Sequence, residues 1–503
     1  MSDDRPIGVE ISEFGRHAGA AALGASNHEG LAYFANFGVT DRLISDAITR
    51  ALSRGGDWAE LYFEHRIGHH VGLEDGAVNR AYSSVSLGVG IRVIRDDQTG
   101  YAYTEDLSRA SVLDAASTAA VVADGPARLG PKVWHAMQRP DRYRIEREWS
   151  DVGLNEKMPV LHRINERAFE QDSRIVKVRV GFANHASAIL ICDSDGRINF
   201  DRQPMTRISV GCTAEANGQL ESNGHNMAGR SGFDFYSPER IDAVTDEAVR
   251  RTTFLFDATP APAGSLPIVL AAGSSGILLH EAIGHGMEAD FNRKNVSVYS
   301  EKLNKRIAPD EVTIVDDGTQ LHARGSINID DEGMLGQRTT LVEHGMLRTY
   351  MHDRISAQHY GVECTGNGRR QSFRHPPLPR MRNTYMLPGP HEPEDIIKSV
   401  DFGIYAETFT NGQVMIGAGD FTFYIKTGYL IENGRLTRPI KDTNIIGNGP
   451  EVLENTDMVG NDFKLDEGGW VCGKDGQSVP VSLGMPSCRV SAITVGGVNP
   501  NES

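Results

Sequence analysis

No stretch of this 503-residue chain approaches the ~20 consecutive apolar residues needed to cross a bilayer, so no membrane partner is expected. A basic secretory start is also lacking: the chain opens on Ser2-Asp3-Asp4, which points to the cytoplasm. Cysteine is scarce. Cys192, Cys212, Cys364, Cys472 and Cys488 are odd in number and scattered, with no C-x-x-C pair, which excludes a disulfide framework and predicts reduced thiols. Positive charge is in the minority, with 51 Lys and Arg against 67 Asp and Glu, a net charge of -16. Such a chain has no broad surface for neutralising phosphates, so nucleic acid is not an expected partner. Glycine, by contrast, is abundant: its 54 residues exceed the ~7% usual in globular chains and indicate many turns. With 39% hydrophobic and 23% charged residues, the composition is that of a globular protein of two or three domains.

The first 40 residues show no sustained period and read as a loosely held extension. Leu43, Ile44, Ala47, Ile48, Ala51 and Leu52 then repeat at helical spacing up to Gly55-Gly56. A strand at 59–65, a turn at Glu74-Asp75-Gly76, alternation at Leu87, Val89, Ile91 and Val93, and a helix at 112–122 make a small α/β unit. A helix at 161–169 precedes alternating Val176, Val178, Val180 and Phe182; the turn at Asp193-Ser194-Asp195-Gly196 then begins a β-meander, closed by a helix through Ile241, Val244, Ala248 and Val249. Thr259-Pro260-Ala261-Pro262-Ala263-Gly264 is the best linker, dividing an N-terminal α/β region (41–258) from a C-terminal domain (265–503). Glu343-His344-Gly345 and Glu432-Asn433-Gly434 mark tight hairpins in that second part. The expected fold class is therefore α+β, with antiparallel sheet dominating the C-terminal domain.

The chemistry concentrates at His280-Glu281-Ala282-Ile283-Gly284-His285. Neutral imidazoles bind zinc and leave a position open for water, and a nearby Glu can take that water's proton. The familiar metalloprotease motif spaces its histidines i and i+4, whereas here they are i and i+5. At ~100° per residue, five steps leave the rings roughly 140° apart on a regular α-helix. A π-type turn would return them to one face, and Gly284 is expected to make that distortion cheaper. Ser274-Ser275 and Gly276 supply a plausible helix start, and Ile277, Leu278 and Leu279 would bury its first turn.

A catalytic zinc usually keeps three protein ligands, so one must come from elsewhere. Glu288, Asp290, His352, His359, His375 and Cys472 are candidates. Cys472 is favoured, because dense glycine around it lets the backbone deliver a thiolate; a buried core thiol is the competing reading. Arg369, Arg370, His375 and Tyr385 are polar enough to stabilise an oxyanion but read as structural. Asp316-Asp317 and Asp330-Asp331-Glu332 read as solvated loop carboxylates, His69-His70 as surface, and the glycines of 365–368 follow no nucleotide-binding arrangement.

Residues 280–300 (HEAIGHGMEADFNRKNVSVYS), Val315-Asp316-Asp317-Gly318, Asp330-Asp331-Glu332-Gly333, Thr365-Gly366-Asn367-Gly368-Arg369-Arg370, Pro379-Arg380-Met381-Arg382-Asn383-Thr384 and Met458-Val459-Gly460-Asn461-Asp462 together resemble the TldD/PmbA metalloprotease family. The histidine-glutamate motif is that of its TldD branch and is lacking in the PmbA/TldE branch. The resemblance runs from about residue 41 to the C-terminus, and departs from the family in the extension before residue 40 and near 139–150. It implies a TldD-like fold and a peptidase holding one zinc ion with His280, His285 and Cys472, Glu281 serving as general base. It also implies a heterodimer with a PmbA/TldE-like subunit, acting on unfolded or extended peptides such as leader peptides of modified precursors and small unstable proteins. Two other readings stay open: a cysteine hydrolase using Cys472, and a non-catalytic polypeptide-binding subunit with a structural zinc.

Overall fold

The structure, a computed structural model, describes residues 26–131 and 133–497. Its N-terminal part is built on one six-stranded antiparallel sheet: β1 (Trp58–Glu74), β2 (Ala77–Arg95), β3 (Gln98–Thr104), β4 (Ile175–Asp193), β5 (Ile198–Ala216) and β6 (Gln219–Gly229), in the spatial order β3-β2-β1-β4-β5-β6. The α/β unit and the meander read separately from the sequence thus share a sheet, joined where β1 pairs with β4 from Glu60↔Asp193 to Glu74↔Arg179. Turn residues with positive φ close the hairpins as their types require, among them Asp75-Gly76 and Asn217-Gly218.

Alternation along β1 decides what lies on each face. Ala59, Leu61 and Phe63 pack under the helices α1 (Ser26–Ala35), α2 (Asp41–Ala51) and α3 (Arg109–Ala119), and Val71 and Leu73 under α4 (Leu154–Gln171) and α5 (Pro238–Thr253). The intervening Glu60, Tyr62 and Glu64 face the C-terminal part, where Tyr62 meets Ile329 and Phe373. The helix at α2 forms because its apolar residues Leu43, Ile44, Ala47, Ile48 and Ala51 fall on one buried stripe and Thr40 caps it, accepting from the Leu43 N–H at 3.2 Å. α1 corrects the expectation of a loose extension: 26–35 are helical, and Phe34 is fully buried in the core that also holds β1 and β5 residues. Residues 1–25 of that extension lie outside the described residues.

Among the described residues the C-terminal part holds two large sheets and two two-stranded ones. One large sheet carries a closed ring of pairings in which Gly264–Leu270, Cys488–Gly496, Thr443–Asn448, Asp420–Glu432 and Phe402–Met415 each have two neighbours, so these five strands expose no free edge to one another. The other large sheet runs Met346–Leu347, Arg338–Glu343, Ile314–Asp317, Asn383–Met386, Ser482–Met485, Lys464–Leu465. Antiparallel pairing dominates; the exceptions are Gly264–Leu270 with Phe402–Met415 and Asn383–Met386 with Ser482–Met485. A single large apolar core fills the space between ring and sheet, and the helix carrying the histidines lies in it. The α+β reading therefore holds. Among the described residues no helix is long and apolar enough to cross a membrane, and all five cysteines are unpaired.

The acidic loops are the clearest departure from the sequence reading. Asp316, Asp317, Asp330 and Glu332 are each 1% exposed, so they are not solvated carboxylates. Asp316 accepts from the Arg382 N–H, the Thr384 hydroxyl and the Asn367 amide at 2.6–2.8 Å, while Asp330 accepts from the backbone N–H groups of Glu332, Met334 and Gly368. They satisfy loop backbone that would otherwise be buried without partners. Glu60, Arg92, Glu332 and Arg370 form a buried charged chain across the interface: Arg92 makes ion pairs with Glu60 at 3.0 Å and Glu332 at 2.6 Å, and Arg370 makes one with Glu60.

Candidate metal centre

Strand Gly264–Leu270 leads into the helical turn Gly276–Leu279, which is followed by a π turn at His280–Gly284 and a 3-10 turn at His285–Met287. In the π turn the His285 N–H donates to the His280 carbonyl, five residues back, which is the register that brings an i,i+5 pair to one side. The expected distortion is present, but Gly284 serves it differently. Its φ of −60° and ψ of −46° are ordinary helical values; what excludes a side chain is Met381, whose buried sulfur occupies the place of a Cβ. Ser275 makes no side-chain cap, contrary to expectation, and Ser274 instead donates to the Glu407 carbonyl at 3.1 Å. The start of the helix is fixed by close packing, Gly276 lying against the backbone of Gly484.

Cys472 reaches the motif from 187 residues away on strand Val471–Lys474, which forms a hairpin with Gln477–Pro480 through Asp475-Gly476. Its Sγ stands 3.5 Å from His285 Nε2, and the two imidazole rings lie 5.2 Å apart at 82°. One ligand atom from each of His280, His285 and Cys472 falls within 4.8 Å of the others, a separation that a single ion can span. All three are buried, Cys472 completely. Among the described residues neither ring nitrogen of His280 has a hydrogen-bond partner, an arrangement costly in a buried imidazole and relieved by a metal. Burial alone would push the Cys472 thiol up, yet the two imidazoles hold it well below its ordinary value, in the thiolate form that binds metals.

The second nitrogen of His285 explains its orientation. Nδ1 lies 3.0 Å from Glu288, which assigns the proton to Nδ1 and turns Nε2 toward Cys472. Glu288 is fully buried; burial pushes its carboxyl up, but Lys474 at 3.0 Å and His285 bring it down to about 2. Lys474 also bonds Asp290 at 2.7 Å, and Arg380 holds the hairpin by donating to the Cys472 carbonyl at 2.6 Å. Glu288, considered above as a ligand, is therefore a positioning residue; its place three residues after His285 is the signal in the sequence. Asp290 is a partner of Lys474. His352 hydrogen-bonds Thr349, His375 bonds Ser372 and His359 meets Tyr360 edge to face, all outside the cluster.

Glu281 places a carboxylate oxygen 3.8 Å from His285 Nε2, on the side where the thiolate also lies, and its side chain is 25% exposed. It is the member of the motif that solvent reaches. Arg369, Arg370 and Tyr385 make structural bonds, to the Met381 and Pro480 carbonyls, to Glu60 and the Asp331 carbonyl, and to Asp317 respectively.

Fold and site together define an α+β protein with a buried candidate metal centre of two imidazoles and a thiolate. Three consecutive family models match it: PmbA/TldA metallopeptidase domain 1 over residues 59–123, the central domain over 147–253 and the C-terminal domain over 263–497. A metalloprotease TldD homolog of Haemophilus influenzae is 39% identical over 454 residues, covering 89% of this chain and 94% of its own length. A zinc metalloprotease TldD homolog of Saccharolobus solfataricus is 28% identical over 455 residues, covering 90% and 99%. The solved structure of TldE from Thermococcus kodakarensis superposes with a TM-score of 0.71 at 17% identity, covering 91% of this chain and 99% of that one, and so shares the fold. The chain belongs to the PmbA/TldD metallopeptidase family.

Proposed function

We propose that this protein is a zinc-dependent peptidase that hydrolyses peptide bonds in unfolded or extended polypeptides, with His280, His285 and Cys472 holding one ion and Glu281 acting as general base. The convergence of two imidazoles and a thiolate, with both ring nitrogens of His280 otherwise unsatisfied, carries the reading. The donor set fits zinc, a borderline ion that accepts nitrogen and sulfur, and the Saccharolobus relative bears that metal in its name. Held by His280, His285 and Cys472, a zinc ion would supply Lewis acidity toward the scissile carbonyl and toward a water molecule.

The chain's own residues do the rest. Glu288 and Lys474 fix the tautomer and direction of His285. Glu281, partly exposed and within reach of the same point, accepts the proton of the attacking water and returns it to the leaving amine. The complete burial of Cys472 favours the metal reading over a cysteine hydrolase, whose sulfur must be open to the substrate carbonyl. In this reading the substrates include leader peptides of modified precursors and small unstable proteins, the partner is a PmbA/TldE-type subunit, and the site of action is the cytoplasm. Chelation followed by zinc readdition tests the metal: cleavage of a disordered peptide is expected to disappear and return, and cleavage that survives complete zinc removal would overturn the proposal.

A further inference from the structure

Between the N-terminal sheet and the hairpin that carries Cys472 lies a cavity of about 300 Å³. Its walls include Arg66, Arg230, Arg324, Arg369, Arg370 and Arg382, against two carboxylates, Glu64 and Asp331. For a chain whose net charge is -16, this is a strong local inversion. Both carboxylates are already engaged: Glu64 accepts the Phe373 N–H at 3.0 Å and Asp331 the Arg370 N–H at 2.8 Å.

Four of the arginines, Arg230, Arg324, Arg369 and Arg382, are at most 9% exposed. Among the described residues their side chains donate only to uncharged oxygens: Arg230 to the Gln203 amide, Arg324 to the Trp470 carbonyl, Arg369 to the Met381 and Pro480 carbonyls, and Arg382 to the Gly366 carbonyl. Arg230 Nε and Arg382 Nη2 are buried with no hydrogen-bond partner among the described residues. Burial, with Arg207, Arg230 and Arg66 alongside, pushes Arg324 down to about 9, and burial with Arg382 nearby moves Arg369 in the same direction. An arginine cluster does not relieve such strain readily by losing protons. A bound anion relieves it, and planar guanidinium groups match the two oxygens of a carboxylate.

Position selects the kind of anion. Val471, Ser478, Val479 and Pro480 of the catalytic hairpin line one wall, and Tyr62, Ile189 and Met205 of the sheet line another. A ligand here combines an apolar stem with an anionic tip and sits beside the hairpin that supplies the thiolate. We infer that this cavity is a substrate subsite for a peptide carboxylate, either an acidic side chain or a free C-terminus, held by Arg230, Arg324 and Arg382. The inference rests on the peptidase reading for its substrate, but its test does not require cleavage.

Binding of fluorescent, extended peptides to the full chain measures it. Three probes are used: one with a central Glu and an amidated C-terminus, its Gln counterpart, and the Gln peptide with a free C-terminal carboxylate. At least one carboxylate probe is expected to bind about tenfold or more tighter than the neutral one, as charge-assisted hydrogen bonds to buried guanidinium groups would give; which probe gains identifies the source of the carboxylate. R324Q and R230Q, made separately so that one folded variant suffices, are each expected to reduce that preference several-fold while leaving affinity for the neutral peptide unchanged. Equal binding of all three probes by the unaltered protein would overturn the inference, as would a preference that persists in a folded variant. Carboxylate-selective binding with no turnover by the zinc-loaded chain, either alone or with a PmbA/TldE-type subunit, would instead sink the peptidase reading and leave the subsite standing.

Discussion

Replacing Glu281 by Gln is expected to lower turnover by about 10²–10⁴-fold, the usual contribution of a positioned general base, while zinc content stays that of the unaltered protein. The separation of the two effects follows from the geometry. Glu281 stands 3.8 Å from His285 Nε2 and is the exposed member of the motif, whereas the three donor atoms that cluster within 4.8 Å come from other residues. Glutamine preserves size and polarity but cannot take a proton. Single-turnover cleavage of a disordered peptide, paired with elemental analysis of the same sample, checks both halves. Unchanged cleavage would remove Glu281 from the mechanism, and lost zinc would make it a ligand.

The second large effect concerns the buried charged chain beneath the N-terminal sheet. Arg92 is 1% exposed and is the shared partner of Glu60 and Glu332, themselves 0% and 1% exposed. Arg92→Met removes the cation and leaves Glu332 without a charged partner in a dry interface; Glu60 keeps Arg370. Breaking a buried pair from one side costs about 3–5 kcal/mol, most of it the penalty on the stranded charge. The expected result is a clearly lowered denaturation midpoint. Adding Glu332→Gln is expected to recover much of the loss, because a neutral amide can still accept from the Arg354 N–H that now meets the carboxylate at 2.8 Å. An Arg92→Met protein as stable as the original would show that the network does not hold the two parts together.

What the sequence made legible depended on locality. The π turn could be anticipated because it follows from one spacing and one rotation per residue, and the hairpins at His344-Gly345 and Asn433-Gly434 because positive φ selects their residues. Cys472 could be singled out among candidate ligands by its glycine-rich surroundings and was placed in the ligand set by family resemblance, but a contact across 187 residues has no local signal. The same limit hid other features. Asp316 and Asp330 read as solvent-facing because their sequence neighbours are turn formers, while their partners Arg382, Thr384 and Gly368 come from distant segments. The single sheet is not legible either, since β2, β3, two helices and a long loop lie between β1 and the β4 strand that pairs with it. α1 went unread because its short apolar pattern does not sustain a period, although Phe34 is fully buried. Gly284 was credited with backbone freedom when it supplies room for Met381, a residue nearly a hundred positions later.

X-ray absorption at the zinc edge of the purified protein tests the central claim most directly. A centre formed by His280, His285 and Cys472 predicts two nitrogen neighbours at ~2.0–2.1 Å and one sulfur at ~2.3 Å, with the sulfur shell absent in Cys472→Ser. A zinc ion without sulfur in the unaltered protein, or a sulfur shell that survives the substitution, would contradict it.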